Sequence, residues 1–377
     1  MRRSEDIRHD LGQALLLIRG GRSASRSEIS ARLGIAAATA SEHVSRLIDE
    51  GYVREDGVAK SGPGRPKRSL AVRADAGWFA GVEFNANRVQ AVRLDFAGHV
   101  IDADARTLPA RITTRKILQE MARSIAQLKK NANGPLLATG IGAAGIVDPD
   151  HGLGVEYALV PDWRDVPVVD EFTRRLRVPV TLEHNLRAIA YAERWLGGGR
   201  DLDDYVILGP RSGFAVAIVS GGRVIPGSHH AAGEVGYWPA GRSELHDILT
   251  APAIWRRLEG APPRRRPPTD LGRAIATAAA RNPRVLASIV ADLADLVGRL
   301  HLLLDSQAYF LHGPLTSLGN SFCSSISDKA RILRPALVQR PPMVVRSALG
   351  DNAGAIGAAC RAMEVWTPAN ARGASQR

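Results

Sequence analysis

The sequence predicts an α/β protein in which an N-terminal winged helix-turn-helix precedes a two-lobed α/β body. Three observations predict this arrangement. Apolar residues recur at helical spacing over the first 51 residues, a basic hairpin pattern continues to residue 73, and two similar series of strands and helices follow. We therefore expect a domain at 1–73, lobes at 74–195 and 196–351, and a C-terminal helix at about 352–366 that can return to the first lobe.

Three helices are predicted before residue 51. The first has an apolar face with i, i+3, i+4, i+7 spacing. That face consists of Leu11, Ala14, Leu15 and Ile18. Ser25 and Glu28 form a capping-box pattern at the start of the second helix, Gly34 supplies a turn, and Gly51 ends the third. This spacing is typical of a helix-turn-helix, although a generic three-helix bundle is the alternative.

In a helix-turn-helix the last helix lies in the major groove of DNA. Small residues at its start allow close approach, hydroxyls bond phosphates, and Arg46 can reach a phosphate or a guanine. Ala36 stands where a Ser or Thr cap is usual. The residues expected to face double-stranded DNA here are Ser27, Ala37, Ala38, Thr39, Ser41, Glu42, Ser45 and Arg46.

A basic hairpin is predicted directly after these helices. Residues 57–73 contain five cations and no acid, and residues 52–54 and 70–72 can pair around them. We expect Arg65, between a glycine and a proline, to enter a narrow minor groove, and Lys67 and Arg68 to contact DNA with it. The alternative is a solvated basic linker.

The composition of the 377-residue chain excludes other classes. With 45% hydrophobic and 23% charged residues it is not disordered, collagen-like or coiled-coil. Two cysteines suit a reducing cytoplasm, and neither a signal peptide nor a membrane span is predicted. The net charge of +12 is typical of proteins that bind nucleic acid. A GC-biased gene that encodes many arginines gives the same excess of positive charge.

Each half of the body begins with a predicted β-hairpin. In the first half, two strands and a glycine turn fill residues 78–101 before a helix at 113–130 and a buried strand at 136–141. In the second, strands at 205–208, 214–219 and 223–225 form the hairpin. This repetition predicts a duplicated fold with a ligand cleft between lobes. An apolar helix at 285–304 is a candidate dimer surface, and 260–270 is a Pro/Arg-rich loop.

The segment GIGAAG at 140–145 matches a dinucleotide-binding pattern. That pattern needs a following helix to hold the pyrophosphate, and IVDPDHG follows instead. We therefore do not assign NAD binding to this chain.

Several segments, in the same order, resemble the ROK family (repressors, open reading frames and sugar kinases) in its transcription-regulator branch. They are SRSEISARLGI, LIDEGYV, AAGIVDPDHG, PDWRDVPV, VPVTLEHNLRAIAYAERWLG, GSHHAAGEVGY, FLHGPLTSLG and SALGDNAGAIGAA. The resemblance covers nearly the whole chain. It implies the actin-like, ribonuclease H-like two-lobed ATPase fold, a DNA-binding regulator, and a sugar-like effector bound between the lobes.

The residues that sugar kinases of this family use are altered. The family's D-x-G-G-T phosphate turn corresponds to Glu83, Asn85, Ala86 and Asn87, and the second phosphate turn to residues 211–215. Asn185 replaces the aspartate that serves as general base, and an amide cannot accept the proton. Tyr237 replaces the zinc-binding histidine, and WPAGRSELHD lacks cysteine. The resemblance therefore predicts no enzyme activity, no ATP and no zinc.

Matching the family's sugar pocket to this sequence gives a candidate effector site. It consists of His184, Asn185, Glu234, Tyr237, His246 and Trp163, although a core indole is an equal interpretation of Trp163. We expect a cytoplasmic homodimer or larger oligomer that binds a palindromic operator and represses genes of carbohydrate metabolism. A sugar kinase with an added DNA-binding domain and a ligand-independent DNA-binding dimer are the alternatives.

Overall fold

The computed structural model describes residues 2–21, 25–59, 67–85, 87–109, 111–333 and 340–368. The chain divides into two compact units, one comprising Met1–Ala188 and Gly354–Arg377 and the other Ile189–Ala353. The division at residue 188 and the expected lobe boundary at residue 195 both fall within one helix, Asn185–Leu196. The winged helix and the C-terminal helix both belong to the first unit.

The N-terminal region is a three-helix domain followed by a two-stranded hairpin. Its elements are α1 (Arg2–Arg19), α2 (Arg26–Leu33), α3 (Ala37–Asp49), β1 (Val53–Ala59) and β2 (Lys67–Val72). The predicted apolar face of α1 is confirmed, since all four residues are at most 5% exposed. The Ser25 hydroxyl accepts the Glu28 backbone N–H, and Gly34 ends α2 in a left-handed conformation. The hairpin is antiparallel and extends beyond the predicted residues, with a bulge between Glu55 and Val58.

The body consists of helices and strands in two series. Its helices are α4 (Thr114–Lys130), α5 (Val168–Leu176), α6 (Asn185–Leu196), α7 (Leu245–Leu249), α8 (Ala251–Glu259), α9 (Leu271–Arg281), α10 (Pro283–Leu304), α11 (Gly319–Leu333) and α12 (Ala353–Val365). Its strands are β3 (Trp78–Phe84), β4 (Arg88–Asp95), β5 (Val100–Thr107), β6 (Leu136–Ala143), β7 (Ile146–Asp148), β8 (Leu153–Glu156), β9 (Arg164–Pro167), β10 (Val180–His184), β11 (Tyr205–Pro210), β12 (Phe214–Ser220), β13 (Arg223–Ile225), β14 (Pro239–Ala240), β15 (Ser243–Glu244), β16 (Ala308–Leu311) and β17 (Val344–Arg346).

The central sheets of the two units have the same topology. The first has the order β10-β6-β3-β4-β5 and the second β13-β12-β11-β16-β17. In each, three antiparallel strands come first in the chain and two parallel strands extend the sheet from the first of them. The duplicated α/β fold predicted from the sequence is therefore confirmed.

Local details differ from the sequence prediction in two places. Residues 78–101 were expected to hold two strands, whereas β3, β4 and β5 occupy 78–107, because the glycine turn at Gly98 is followed by a further strand. The GIGAAG segment begins inside β6 and is followed by β7 rather than by a helix, as its sequence indicated. Among the residues described, none of the helices combines the length and apolar character that crossing a bilayer requires.

Candidate nucleic-acid interface and effector site

The recognition helix α3 has one exposed face and one buried face. All seven residues predicted to face DNA lie on the accessible side: Ala37, Ala38, Glu42 and Ser45 are exposed, and Thr39, Ser41 and Arg46 are half-buried. Ala36 precedes the helix without a side-chain cap, as the sequence predicted. The arrangement leaves small and polar side chains free to approach the edges of base pairs.

His43 is a residue of this helix that the sequence interpretation missed. It is 3% exposed and lies on the buried face with Ala40, Val44 and Leu47. The i, i+3, i+4, i+7 spacing of these four residues is the signal that could have found it. Its Nε2 atom has no hydrogen-bond partner among the described residues.

Ion pairs hold several cations of the winged helix. Arg46 Nε lies 3.0 Å from Glu50 Oε1 one turn further along α3. Glu55 in β1 accepts Arg26 Nη1 at 2.7 Å and also bonds Arg68 of β2. Hydrogen bonds from Arg68 and Arg26 lower the pKa of Glu55, and Glu55 raises the pKa of Arg68. Glu55 of the hairpin therefore bridges one cation of α2 and one cation of β2.

The remaining predicted DNA contacts are partly described. Ser27 is exposed, and its hydroxyl lies 3.2 Å from that of Ser25. Arg68 is exposed over 70% of its side chain. Lys67 begins β2, but its side chain lies outside the described part of the structure, and so does the whole of Arg65.

Two predicted effector residues lie at the junction of β10 and α6. His184 ends the strand, and Asn185 begins the helix. The Asn185 amide nitrogen donates to Glu83 Oε1 at 3.3 Å. Glu83 is 1% exposed, and a Cβ atom built on Gly354 in the first turn of α12 would lie 2.1 Å from Glu83 Oε2. The Glu83 carboxylate therefore lies against the first turn of α12.

A buried ion pair adjoins this junction and was not predicted. Glu183 Oε1 accepts Arg187 Nε at 2.6 Å and the His184 backbone N–H at 2.7 Å. Arg187 is 2% exposed and Glu183 is 7% exposed. The i, i+4 spacing of two opposite charges across a strand-to-helix junction was visible in the sequence, but nothing there showed that the pair is buried.

Three other predicted effector residues lie in the second unit. Glu234 precedes the short 3-10 helix Val235–Tyr237, which packs against α7, the helix that contains His246. Glu234 is half-buried, Tyr237 is 66% exposed and His246 is exposed. A Cβ atom on Gly236 would lie 3.4 Å from His246 Nδ1, so the His246 ring lies beside this turn. The three side chains combine a carboxylate with two rings, a set that suits a polyol.

Trp163 lies elsewhere. Its side chain is 0% exposed, it packs on Phe84 with ring centroids 4.5 Å apart, and a Cβ atom on Gly154 would lie 2.4 Å from its Nε1. Trp163 is therefore part of the core of the first lobe and not an exposed wall for a ligand, because α5 and the β7-β8-β9 sheet contribute apolar side chains to the same cluster.

A cavity of about 320 Å³ lies in the second unit, and Trp238, the residue after Tyr237, lines it. It is lined by Trp238, Pro239, Ala240, Gly241, Leu245, Ile248, Asp292, Asp295, Leu296 and Arg299. Its carboxylates are paired, since Asp292 and Asp295 each lie 2.7 Å from an arginine nitrogen. None of the predicted effector residues lines it.

Together, the fold defines a class: a winged helix-turn-helix joined to a duplicated α/β body. Residues 80–364 match the model of the ROK family, and residues 15–54 match that of winged helix-turn-helix DNA-binding domains. The chain belongs to the ROK family.

Curated relatives include repressors. A putative xylose repressor of Caldicellulosiruptor sp. is 30% identical over 57% of this chain and 55% of its own length, so the chain spans about half of that relative. The xylose repressor of Bacillus subtilis is 24% identical over 86% of this chain and 81% of its own. The transcriptional dual regulator NagC of Escherichia coli is 25% identical over 56% of this chain and 53% of its own length.

Solved structures share the fold. A ROK family transcriptional regulator, a homologue of the E. coli MLC protein, superposes with a TM-score of 0.79 at 19% identity over 95% of this chain and 96% of its own. A ROK glucokinase from Streptomyces griseus, solved with glucose and AMPPNP, has a TM-score of 0.64 at 22% identity over 76% and 99%. The predicted actin-like body is therefore confirmed. The superposition on the transcriptional regulator, which covers 95% of this chain, also extends over the winged helix.

Proposed function

We propose that this protein is a cytoplasmic DNA-binding transcriptional regulator, a repressor of carbohydrate-metabolism genes. Its ROK body binds a sugar or sugar derivative without phosphorylating it. The observation that carries the proposal is the exposed face of α3, with Ser45 and Arg46, on a chain whose relatives are named xylose and N-acetylglucosamine repressors. A homodimer would place two such helices in successive major grooves of a palindromic operator.

The chemistry at the β10–α6 junction supports the absence of kinase activity. Asn185 is neutral and donates to Glu83, so it offers no base for a sugar hydroxyl. Asn85 and Ala86 stand where the family's phosphate turn has two glycines, so the backbone can no longer approach a nucleotide phosphate closely. The candidates for hydroxyl recognition are His184, Asn185, Glu234, Tyr237 and His246.

The experiment is a DNA-binding titration with an effector arm. Fluorescently labelled DNA from upstream of the gene and a scrambled duplex are titrated over a salt series, with and without xylose, N-acetylglucosamine and their phosphates. We expect tight, salt-dependent binding to the upstream DNA that one of these sugars changes at least about fivefold. Equal, weak binding to both duplexes would contradict the regulator proposal.

Two further measurements separate the alternatives. Turnover of ATP with the same sugars would establish a kinase. Thermal unfolding with each sugar tests the pocket, because a ligand that binds the folded state raises Tm. Asn185→Ala should lose that rise and keep sugar-free DNA affinity, whereas no rise with any sugar, together with tight DNA binding, would indicate a ligand-independent dimer.

A further inference from the structure

The winged helix is joined to the first lobe by a buried arginine. Arg19, in the last turn of α1, donates from Nε to the Phe96 carbonyl at 2.9 Å and from Nη1 to the Met363 carbonyl at 3.2 Å. Its guanidinium carbon lies 4.3 Å from the centre of the Phe96 ring. One side chain therefore ties a helix of the DNA-binding domain to both the lobe and α12.

Burial of this charge is costly. Desolvation lowers the pKa of Arg19 to about 9, so it stays protonated at neutral pH, and its Nη2 has no hydrogen-bond partner among the described residues. A buried charge of this kind contributes little net stability compared with an apolar side chain of similar size. Its two carbonyl partners instead fix the orientation of α1 on the lobe, because the planar guanidinium can bond both carbonyls in one orientation only.

Aromatic contacts surround Arg19 and include a second residue of the winged helix. Tyr52, between α3 and β1, stacks on Phe96 with ring centroids 5.3 Å apart and meets Trp366 edge-on at 5.2 Å. Phe79 of β3 also contacts Phe96 and Trp366. We call Arg19, Tyr52, Phe79, Phe96 and Trp366 the docking cluster.

Helix α12 connects the docking cluster with the candidate effector residues of the same unit. At its start, Gly354 contacts the Glu83 carboxylate that bonds Asn185, and at its end Met363 and Trp366 contact Arg19 and Tyr52. The thirteen residues of α12 span about 20 Å.

Close backbone packing holds α12 on the sheet. Cβ atoms built on Gly81 and Gly140 would lie 1.9 Å and 1.8 Å from carbonyl oxygens of α12. At these two positions no side chain fits between the helix and strands β3 and β6. Helix α12 is therefore packed closely on the sheet between its two ends.

We propose that Arg19 is a positioning residue that couples the winged helix to α12, so that a ligand bound at Asn185 changes DNA affinity through this helix and the docking cluster. The inference rests on the proposed function, because it explains how the sugar acts on DNA binding.

The test compares Arg19→Met with Arg93→Met in the full chain. Arg93 is another buried arginine of the first lobe, 9% exposed, and it donates to the Asn131 carbonyl at the end of α4. Hydrogen exchange followed by mass spectrometry measures the docking. We expect peptides of α1 and of residues 50–53 to exchange about tenfold faster in Arg19→Met and to be unchanged in Arg93→Met.

The coupling is measured with the same variants, on upstream DNA or on a duplex selected from random sequence. The sugar should still raise the Tm of Arg19→Met, but its effect on DNA affinity should fall from at least about fivefold to below about twofold. Tyr52→Leu, which leaves Arg19 in place, should give a smaller change in the same direction and serves if Arg19→Met does not fold.

Unchanged exchange of α1 in Arg19→Met would overturn the docking, and an undiminished sugar effect on DNA affinity would overturn the coupling. A wild-type protein that binds no DNA would instead refute the proposed function and the coupling with it. The exchange measurement would still decide whether Arg19 docks the winged helix.

Discussion

The ion pairs around Glu55 in the winged helix and the buried ion pairs of the body are arranged in opposite ways. The cations Arg26 and Arg68 are solvent-accessible, and both bond the Glu55 carboxylate. In the body, Arg187 and Glu193 are almost fully buried, and their partners are buried with them. Exposed charges are screened and available to a partner such as DNA, whereas buried pairs contribute to stability only while both members are present.

The largest expected effect is on the buried pair of the first lobe. Arg187→Ala leaves Glu183 without its 2.6 Å partner in a desolvated site, so the free energy of unfolding should fall by about 3–5 kcal/mol. The matched control is Arg174→Ala, since Arg174 pairs with Glu171 at 2.7 Å but is 72% exposed, and it should cost less than about 1 kcal/mol. Urea unfolding measures both, and equal losses would contradict the contrast between exposed and buried charges.

The second prediction concerns the buried Glu193 of the second unit. Its carboxylate accepts His312 Nε2 at 2.8 Å, Ser347 Oγ at 2.5 Å and the Gly198 N–H at 2.8 Å. Burial by itself raises the pKa of Glu193, but the hydrogen bonds from His312 and Ser347 and the His312 charge outweigh it, so the pKa lies below its usual value. Glu193→Gln should lower the free energy of unfolding by about 2 kcal/mol at pH 7.

The pH dependence of that loss follows from the direction of the pKa shift. A carboxylate with a lowered pKa stabilises the fold fully above its ordinary pKa of 4.5, and this contribution disappears as the pH falls through the lowered value. The difference in Tm between Glu193→Gln and wild type should therefore be present at pH 5 and shrink in more acidic solution. A difference that grew with acidity would show that Glu193 is not held as a carboxylate.

The third prediction tests the exposed face of α3. Arg46→Ala removes a cation that is 37% exposed and pairs with Glu50 across one helical turn. DNA affinity should fall about tenfold and the salt dependence should lose about one phosphate contact, with little change in Tm. Arg174→Ala, far along the chain on α5, is the control. A loss confined to Tm would assign Arg46 a structural role.

Features that depend on neighbouring residues in the chain could be predicted from the sequence. The apolar face of α1, the Ser25 cap, the α4 helix and β13 were all found from spacing and residue type. The buried charges could not be, because Glu183, Arg187 and Glu193 are polar residues whose burial depends on which strands and helices pack over them. Trp163 has the same explanation: an indole fits a pocket wall and a core equally well, and only tertiary packing decides.

The smallest expected effect is at Glu55 of the hairpin, where the substitution should increase DNA affinity, whereas the other substitutions lower affinity or stability. Glu55, in strand β1 of the hairpin, is half-buried and neutralises part of the charge of Arg26 and Arg68. Glu55→Gln keeps the size of the side chain and removes its charge, so both guanidinium groups become available to phosphate. DNA affinity should therefore rise two- to threefold at low salt, which corresponds to about 0.5 kcal/mol of binding free energy. The gain in DNA affinity should disappear at high salt, because salt screens the attraction between both cations and the phosphates. If these arginines serve only to hold the hairpin on α2, the same variant will lower Tm and leave DNA affinity unchanged, and the wing then acts through residues 60–67 instead.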